Sequence, residues 1–358
     1  MYLYCIFFFL VKKVSENESN PGPSKQQHTA TIGDSAILRC ELEVMKMKIA
    51  TLEEELAKNR LYFHFSRIEK DEELVLMYTG LPNSRVFYTL LNYIKRFEFN
   101  YFYGWTVSSP IEDQLFITLQ KLRLNYNFQD LAVRYSLSVT SIRNIFFTFI
   151  HVLHESLYQF FYCDAENLPS VHKVKECSPI ANDFPNCRFL LDCTEVYIET
   201  PRKSMEIVKQ TYSSYKKAQT AKALIAVSPN GIICFCSDLF PGSYSDKMIV
   251  EKSGICNLLK PGDLIIADKG FLIRDILPKG VLLNLPPFLM NPQFTEQETR
   301  YTTQIARARI HVERAIGRIK NFQIFNNDIA HNFRPFLSKI FQVCILLVNF
   351  QTPVINED

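Results

Sequence analysis

The sequence predicts an α/β domain, a mixed sheet flanked by helices, preceded by an all-α region and a short coiled coil. Three observations predict it. Apolar, β-type runs recur between residues 189 and 285, separated by turn or helix signals. Two strongly helical stretches, 296–321 and 336–350, follow the last of these runs. Upstream, residues 36–160 carry apolar side chains at helical spacing.

A chain of 358 residues with 47% hydrophobic and 13% aromatic content can bury at least one large core, and its length suggests two or three domains. A net charge of +3 is only mildly basic, so any nucleic-acid surface has to come from local clustering. The ten cysteines include no CxxC pair. Cys234 and Cys236 flank one residue of an apolar run, which puts both on one face of a strand, and Cys193 and Cys344 also sit in apolar segments. Thiols in that setting read as buried and reduced, which implies a reducing compartment and no structural zinc.

The first eleven residues, MYLYCIFFFLV, are apolar and are followed by Lys12 and Lys13. A membrane-spanning helix needs about 20 such residues, and a signal peptide carries its positive charge before the apolar run. No membrane partner is expected; the run reads as an unstructured leader, with a signal anchor as the alternative. Residues 15–35 are rich in Ser, Asn, Pro, Gly and Gln, so 1–35 is assigned to a disordered leader and linker. Leu38, Leu42, Met45, Ile49, Leu52 and Leu56 then alternate steps of four and three, the pattern of a short coiled coil over 36–60. This predicts a homo-oligomer, most simply a dimer; an amphipathic helix folding back on its own chain is the alternative.

Residues 61–109 read as helical scaffold, with a turn at 80–83 and a helix bearing Val86, Phe87, Leu90, Leu91 and Ile94. Residues 110–160 read as a helix-turn-helix: helices at 113–123 and 128–135, a turn at 136–139, and a last helix capped by Thr140 or Ser141 and running through 150. In such a unit the start of the last helix meets base edges in the major groove. Ser138, Thr140, Ser141, Arg143 and Asn144 stand there and can all bond bases or phosphates, while Ile142, Ile145, Phe146 and Phe149 face the core. A plain packing unit of the same shape is the alternative reading. His151 and His154 lack a third ligand nearby and read as ordinary histidines.

Strands are expected at 189–199, 220–228 and 232–237, the last two joined by the turn Pro229, Asn230, Gly231. A helix at 246–259, strands at 264–267 and 281–285, and the two closing helices complete a domain over 185–353. Three strands, a helix, a strand and later helices is the chain order of an RNase H-like fold.

Three acids stand out in this order. Asp192 interrupts an otherwise apolar strand, where a charge is costly unless paired or bound to an ion. Asp268 closes the run LIIA, and in open α/β sheets ligands bind at the carboxyl ends of strands. Glu313 lies on the long helix, between an apolar stripe (Ile305, Val312, Ile316, Ile319) and the flank of a basic one (Arg307, His311, Arg314, Arg318). Strand, strand and helix carboxylates can assemble a two-metal site for Mg²⁺ or Mn²⁺, with neighbouring arginines on phosphates. A surface ion pair of Glu313 with Arg309 or Arg314 is the bland alternative. Asp246 reads first as the N-cap of its helix, and Asp246 and His311 are candidates to support the ligands from behind.

The segments LDCTEVYIETP (191–201), QTYSSYKKAQTAKALIAVSPNG (210–231), PGSYSDKMIVEKSG (241–254), PGDLIIADKGF (261–271), LPPF (285–288) and RIHVERAIGRIK (309–320) resemble the DDE endonuclease domain of Harbinger-like transposases, particularly relatives carrying a THAP zinc finger. The likeness takes in the helix-turn-helix. It implies that Asp192, Asp268 and Glu313 are the catalytic, metal-binding triad of a Mg²⁺-dependent DNA endonuclease or transposase acting in the nucleus, with transfer of a 3′-hydroxyl after cleavage. It also implies DNA as partner and, as in Harbinger-like systems, a separate Myb-like DNA-binding protein. The zinc-ligand series of the THAP finger is absent: Cys5 and Cys40 alone stand in the N-terminal part. Two further readings remain, a domesticated DNA-binding or assembly protein without catalysis, and a structure-selective nuclease without a transfer step.

Overall fold

Strand β1 (Cys187–Tyr197) is the axis of the fold. It pairs antiparallel with β3 (Ala218–Val227), which pairs antiparallel with β4 (Ile233–Cys236). On its other edge β1 runs parallel to β6 (Leu264–Ile266), and β6 parallel to β7 (Leu282–Asn284). Short strands β2 (Tyr212–Ser213) and β5 (Phe240–Pro241) extend β3. The order β4, β3, β1, β6, β7, antiparallel then parallel, is the RNase H-like mixed sheet. This is a computed structural model, and it describes residues 32–58, 63–158, 178, 180, 182–202, 204–287 and 295–352. The leader MYLYCIFFFLV and most of the 15–35 linker lie outside the described residues.

Parallel strands need cover on both faces, because their crossovers lay helices there. Leu190, Ile225 and Ile266 point to the face covered by α9 (Glu296–Lys320) and α10 (Leu337–Asn349). Phe189, Leu191, Leu224 and Ile265 point the other way, onto α8 (Asp246–Ser253), which follows the short α7 (Met205–Thr211). Two expectations change here. Helix α8 ends early because Gly254 turns left-handed at φ 81°, and Ile255–Leu258 continue as a 3-10 turn. Its N-cap is Ser245, whose side chain accepts from the Met248 N–H, so Asp246 is the first helical residue and not the cap.

Cys234 and Cys236 do not share a face. Val227 lies opposite Ile233 but Ala226 opposite Phe235, so Cys234 is the extra residue of a bulge, and it packs on the α8 side while Cys236 packs on the other. Both are buried free thiols, as are Cys187 and Cys344; Cys40 is exposed.

The helical half comprises α2 (Glu72–Thr79), α3 (Ser84–Ile94), α4 (Ile111–Leu124), α5 (Phe128–Arg134) and α6 (Val139–Leu153). Helices α5 and α6 meet at 106°, the helix-turn-helix angle, through a turn in which Ser136 is left-handed at φ 46°. The cap of α6 is Ser138, accepting from the Ser141 N–H at 3.0 Å, rather than Thr140 or Ser141. This unit is not a tethered module: Phe128 and Phe146 pack on Phe333, and Phe147 packs on Phe336 just ahead of α10. One core therefore runs from the helix-turn-helix into the sheet's α9–α10 face.

Helix α1 (Ile32–Lys58) begins inside the segment expected to be linker. Its Leu42, Met45, Ile49 and Leu52 are 54–64% exposed, so no described residue of this chain covers that seam. No single helix among the described residues is long and apolar enough to cross a membrane. The one bent pair that passes that test together is the helix-turn-helix, most of whose apolar residues are in the core, Val133 being exposed.

Candidate active site

The parallel register of the sheet brings the two aspartates together. Leu190 lies opposite Ile266, so two residues further along both chains Asp192 comes abreast of Asp268, just past the end of β6. The alternation of side chains puts Asp192 on the same face as Leu190, the face under α9. Helix α9 starts with a capping box between Thr295 and Glu298 and buries Ile305, Ala308, Val312, Ala315, Ile316 and Ile319. Glu313, next to Val312, thereby stands at the edge of the helix that overlooks the two strand carboxylates.

A guanidinium joins all three acids. Arg309, one helical turn before Glu313, brings Nη2 to 3.7 Å from Asp192 Oδ2 and 3.5 Å from Glu313 Oε1, and Nη1 to 3.4 Å from Asp268 Oδ1. Asp192 Oδ1 accepts the Cys193 N–H at 2.8 Å, and Asp268 Oδ1 accepts the Lys269 N–H at 2.7 Å. Burial pushes the Asp192 carboxyl up from its ordinary range; Arg309 and the Cys193 amide pull it down, and the charges of Asp268 and Glu313 raise it again.

The donor set suits a hard divalent ion. It is oxygen only, it holds three negative charges, and it already surrounds one cation. As they stand, no three His, Cys, Asp or Glu side chains among the described residues converge tightly enough to hold an ion. The Arg309 guanidinium lies between these three.

The flanking candidates separate. Asp246 pairs with Lys222 at 2.6 Å on the α8 face of the sheet, away from the triad, though a Cβ at Gly270, two residues after Asp268, would lie 3.5 Å from its Oδ2. His311 is buried, its pKa lowered by burial and by Arg314, and it touches none of the three acids. The basic stripe is broken there: Arg307 and Arg314 are exposed, whereas Arg318 donates to the Thr352 carbonyl. The bland and the functional readings of Glu313 merge, because its ion-pair partner Arg309 is itself in the site. Arg309, expected from its place four residues before Glu313 only as a surface partner of that residue, belongs to the site itself.

At the helix-turn-helix, Ser138, Thr140 and Arg143 are exposed and Ser141 is half-buried. Arg143 lies over the Phe128 ring at 5.4 Å. Asn144 is a correction: it is fully buried, accepts the Tyr103 N–H at 2.9 Å and donates to the Trp105 carbonyl at 2.8 Å. It ties the 101–105 loop to α6 and cannot reach DNA.

An RNase H-like sheet with carboxylates on two strands and a covering helix, fused to a helix-turn-helix, defines a nuclease of the transposase type. Residues 191–349 match the family model described as DDE superfamily endonuclease, and residues 110–159 match the helix-turn-helix of DDE superfamily endonuclease. Together these two regions are those of a DDE superfamily endonuclease of transposase origin. No curated protein and no solved structure matches the chain.

Proposed function

We propose that this chain is a Harbinger-like transposase, or an endonuclease derived from one, that cuts DNA phosphodiester bonds by in-line attack at Asp192, Asp268 and Glu313. The observation that carries the reading is the gathering of these three carboxylates around the one Arg309 guanidinium. Two Mg²⁺ or Mn²⁺ ions bound there would stabilise the attacking and leaving oxygens of the displacement. Asp192 and Asp268 each accept a backbone N–H on Oδ1 alone, which leaves Oδ2 of both, with the Glu313 carboxylate, for that role. Arg307 and Arg314, both exposed on α9, would hold backbone phosphates. Ser138, Thr140, Ser141 and Arg143 read the groove, and the shared core keeps them at a constant offset from the site.

The bare seam of α1 supports a dimer, whose two copies would present two sites to two DNA ends. DNA as substrate places the protein in the nucleus, with a Myb-like partner as a second source of sequence recognition. The products test the proposal. Full-length protein, Mg²⁺ and a labelled duplex bearing the gene's own flanking repeats should give nicked ends that join to a target plasmid. Nicking without joining supports an endonuclease alone, and binding without any cleavage would leave a domesticated DNA-binding protein and overturn the catalytic reading.

A further inference from the structure

Arg309 is not held like a permanent structural arginine. Buried guanidinium groups normally satisfy their five N–H donors, often with two parallel bonds to one carboxylate at about 2.7–2.9 Å. Here the three carboxylate contacts are 3.4–3.7 Å, spread over three different acids, and the buried Nε has no acceptor among the described residues. The side chain is 16% exposed, close to the 23% of Asp192 and well below the 51% and 56% of Asp268 and Glu313, so it sits at the depth of the strand aspartate, under the two more exposed acids. It is attracted to all three charges and bonded closely to none.

We propose that Arg309 is the internal counter-cation of the triad: it keeps the three carboxylates converged without metal, and it must withdraw for a divalent ion to bind. The inference rests on the metal-site reading above and adds a competitor to it. Three like charges on one patch would otherwise repel one another apart. The guanidinium preserves their convergence, but its loose contacts and orphaned Nε let an ion with direct oxygen coordination displace it. Metal affinity is then the intrinsic affinity multiplied by the fraction of molecules in which Arg309 has withdrawn.

Mn²⁺ binding, read by the electron paramagnetic resonance of the free ion, tests this without reference to activity. With Arg309 withdrawn in about one molecule in ten, Arg309→Met should bind Mn²⁺ about tenfold more tightly than wild type while melting at a lower temperature in the absence of metal. Equal or weaker binding by Arg309→Met overturns the inference. If that variant does not fold, the wild-type protein decides: the Nε–H resonance of Arg309, assigned by its loss in Arg309→Lys, should shift as Mg²⁺ is added, and an unmoved resonance at saturating Mg²⁺ overturns the inference. Mn²⁺ binding that Asp192→Asn leaves unchanged would instead overturn the metal-site reading itself.

Discussion

Asn144→Ala separates two roles for a residue at the head of the recognition helix. Its side chain makes two hydrogen bonds to the backbone of the 101–105 loop, to the Tyr103 N–H and from its amide to the Trp105 carbonyl. Each such bond contributes about 1 kcal/mol net, and a deeply buried orphan would cost more. Both bonds are part-buried rather than fully enclosed, so the lower figure applies. The sum is about 2 kcal/mol of lost stability. Trp105 is the only tryptophan in the chain and sits at the bond being cut, so denaturant unfolding followed by its fluorescence reads the loss directly. DNA affinity of the folded variant should be unchanged. Wild-type stability with weakened DNA binding would refute the reasoning and return Asn144 to the groove.

Three further outcomes are expected. Ser136 is left-handed at φ 46° in the helix-turn-helix turn, a conformation glycine adopts without strain, so Ser136→Gly should stabilise by up to about 1 kcal/mol in thermal unfolding. Lys121 is buried, with its pKa lowered to about 8 by desolvation. Its unfolded value is about 10.4, so between those values the unfolded chain holds the extra proton and stability rises with pH. The unfolding free energy of wild type relative to Lys121→Met should therefore climb by about 2.5 kcal/mol from pH 8 to 10.4, and a flat difference would contradict the burial cost. Arg143→Ala should weaken duplex binding by about 1–3 kcal/mol, read by anisotropy, while leaving the melting temperature nearly unchanged.

Much of this was legible because the signals were local. The parallel pairing of β1 with β6 turns the position of Asp192 in one apolar run and of Asp268 after another into neighbours, and the long amphipathic α9 carries Glu313 to them. What escaped depends on tertiary partners. A bulge moved Cys234 across the sheet, and nothing in ICFC announces it. Asn144 looked like a base reader because a polar side chain at the start of a recognition helix has the same sequence signature whether it meets DNA or a loop 41 residues upstream. Arg309 looked like a surface partner of Glu313 because its three-way contact depends on two aspartates far away in the chain. The fusion of the helix-turn-helix with the sheet's core was likewise invisible, since nothing in the sequence pairs Phe146 with Phe333, far away in the chain.

The central claim is that Asp192, Asp268 and Glu313 form one metal-dependent cleavage site. Nicking of a supercoiled plasmid or repeat-bearing duplex by the full-length protein, with Mg²⁺ and with EDTA, measures it most directly beside Asp192→Asn, Asp268→Asn and Glu313→Gln. Nicking that requires Mg²⁺, and that each substitution abolishes while DNA binding persists, is the predicted result. Unaltered cleavage in Asp192→Asn would contradict the account.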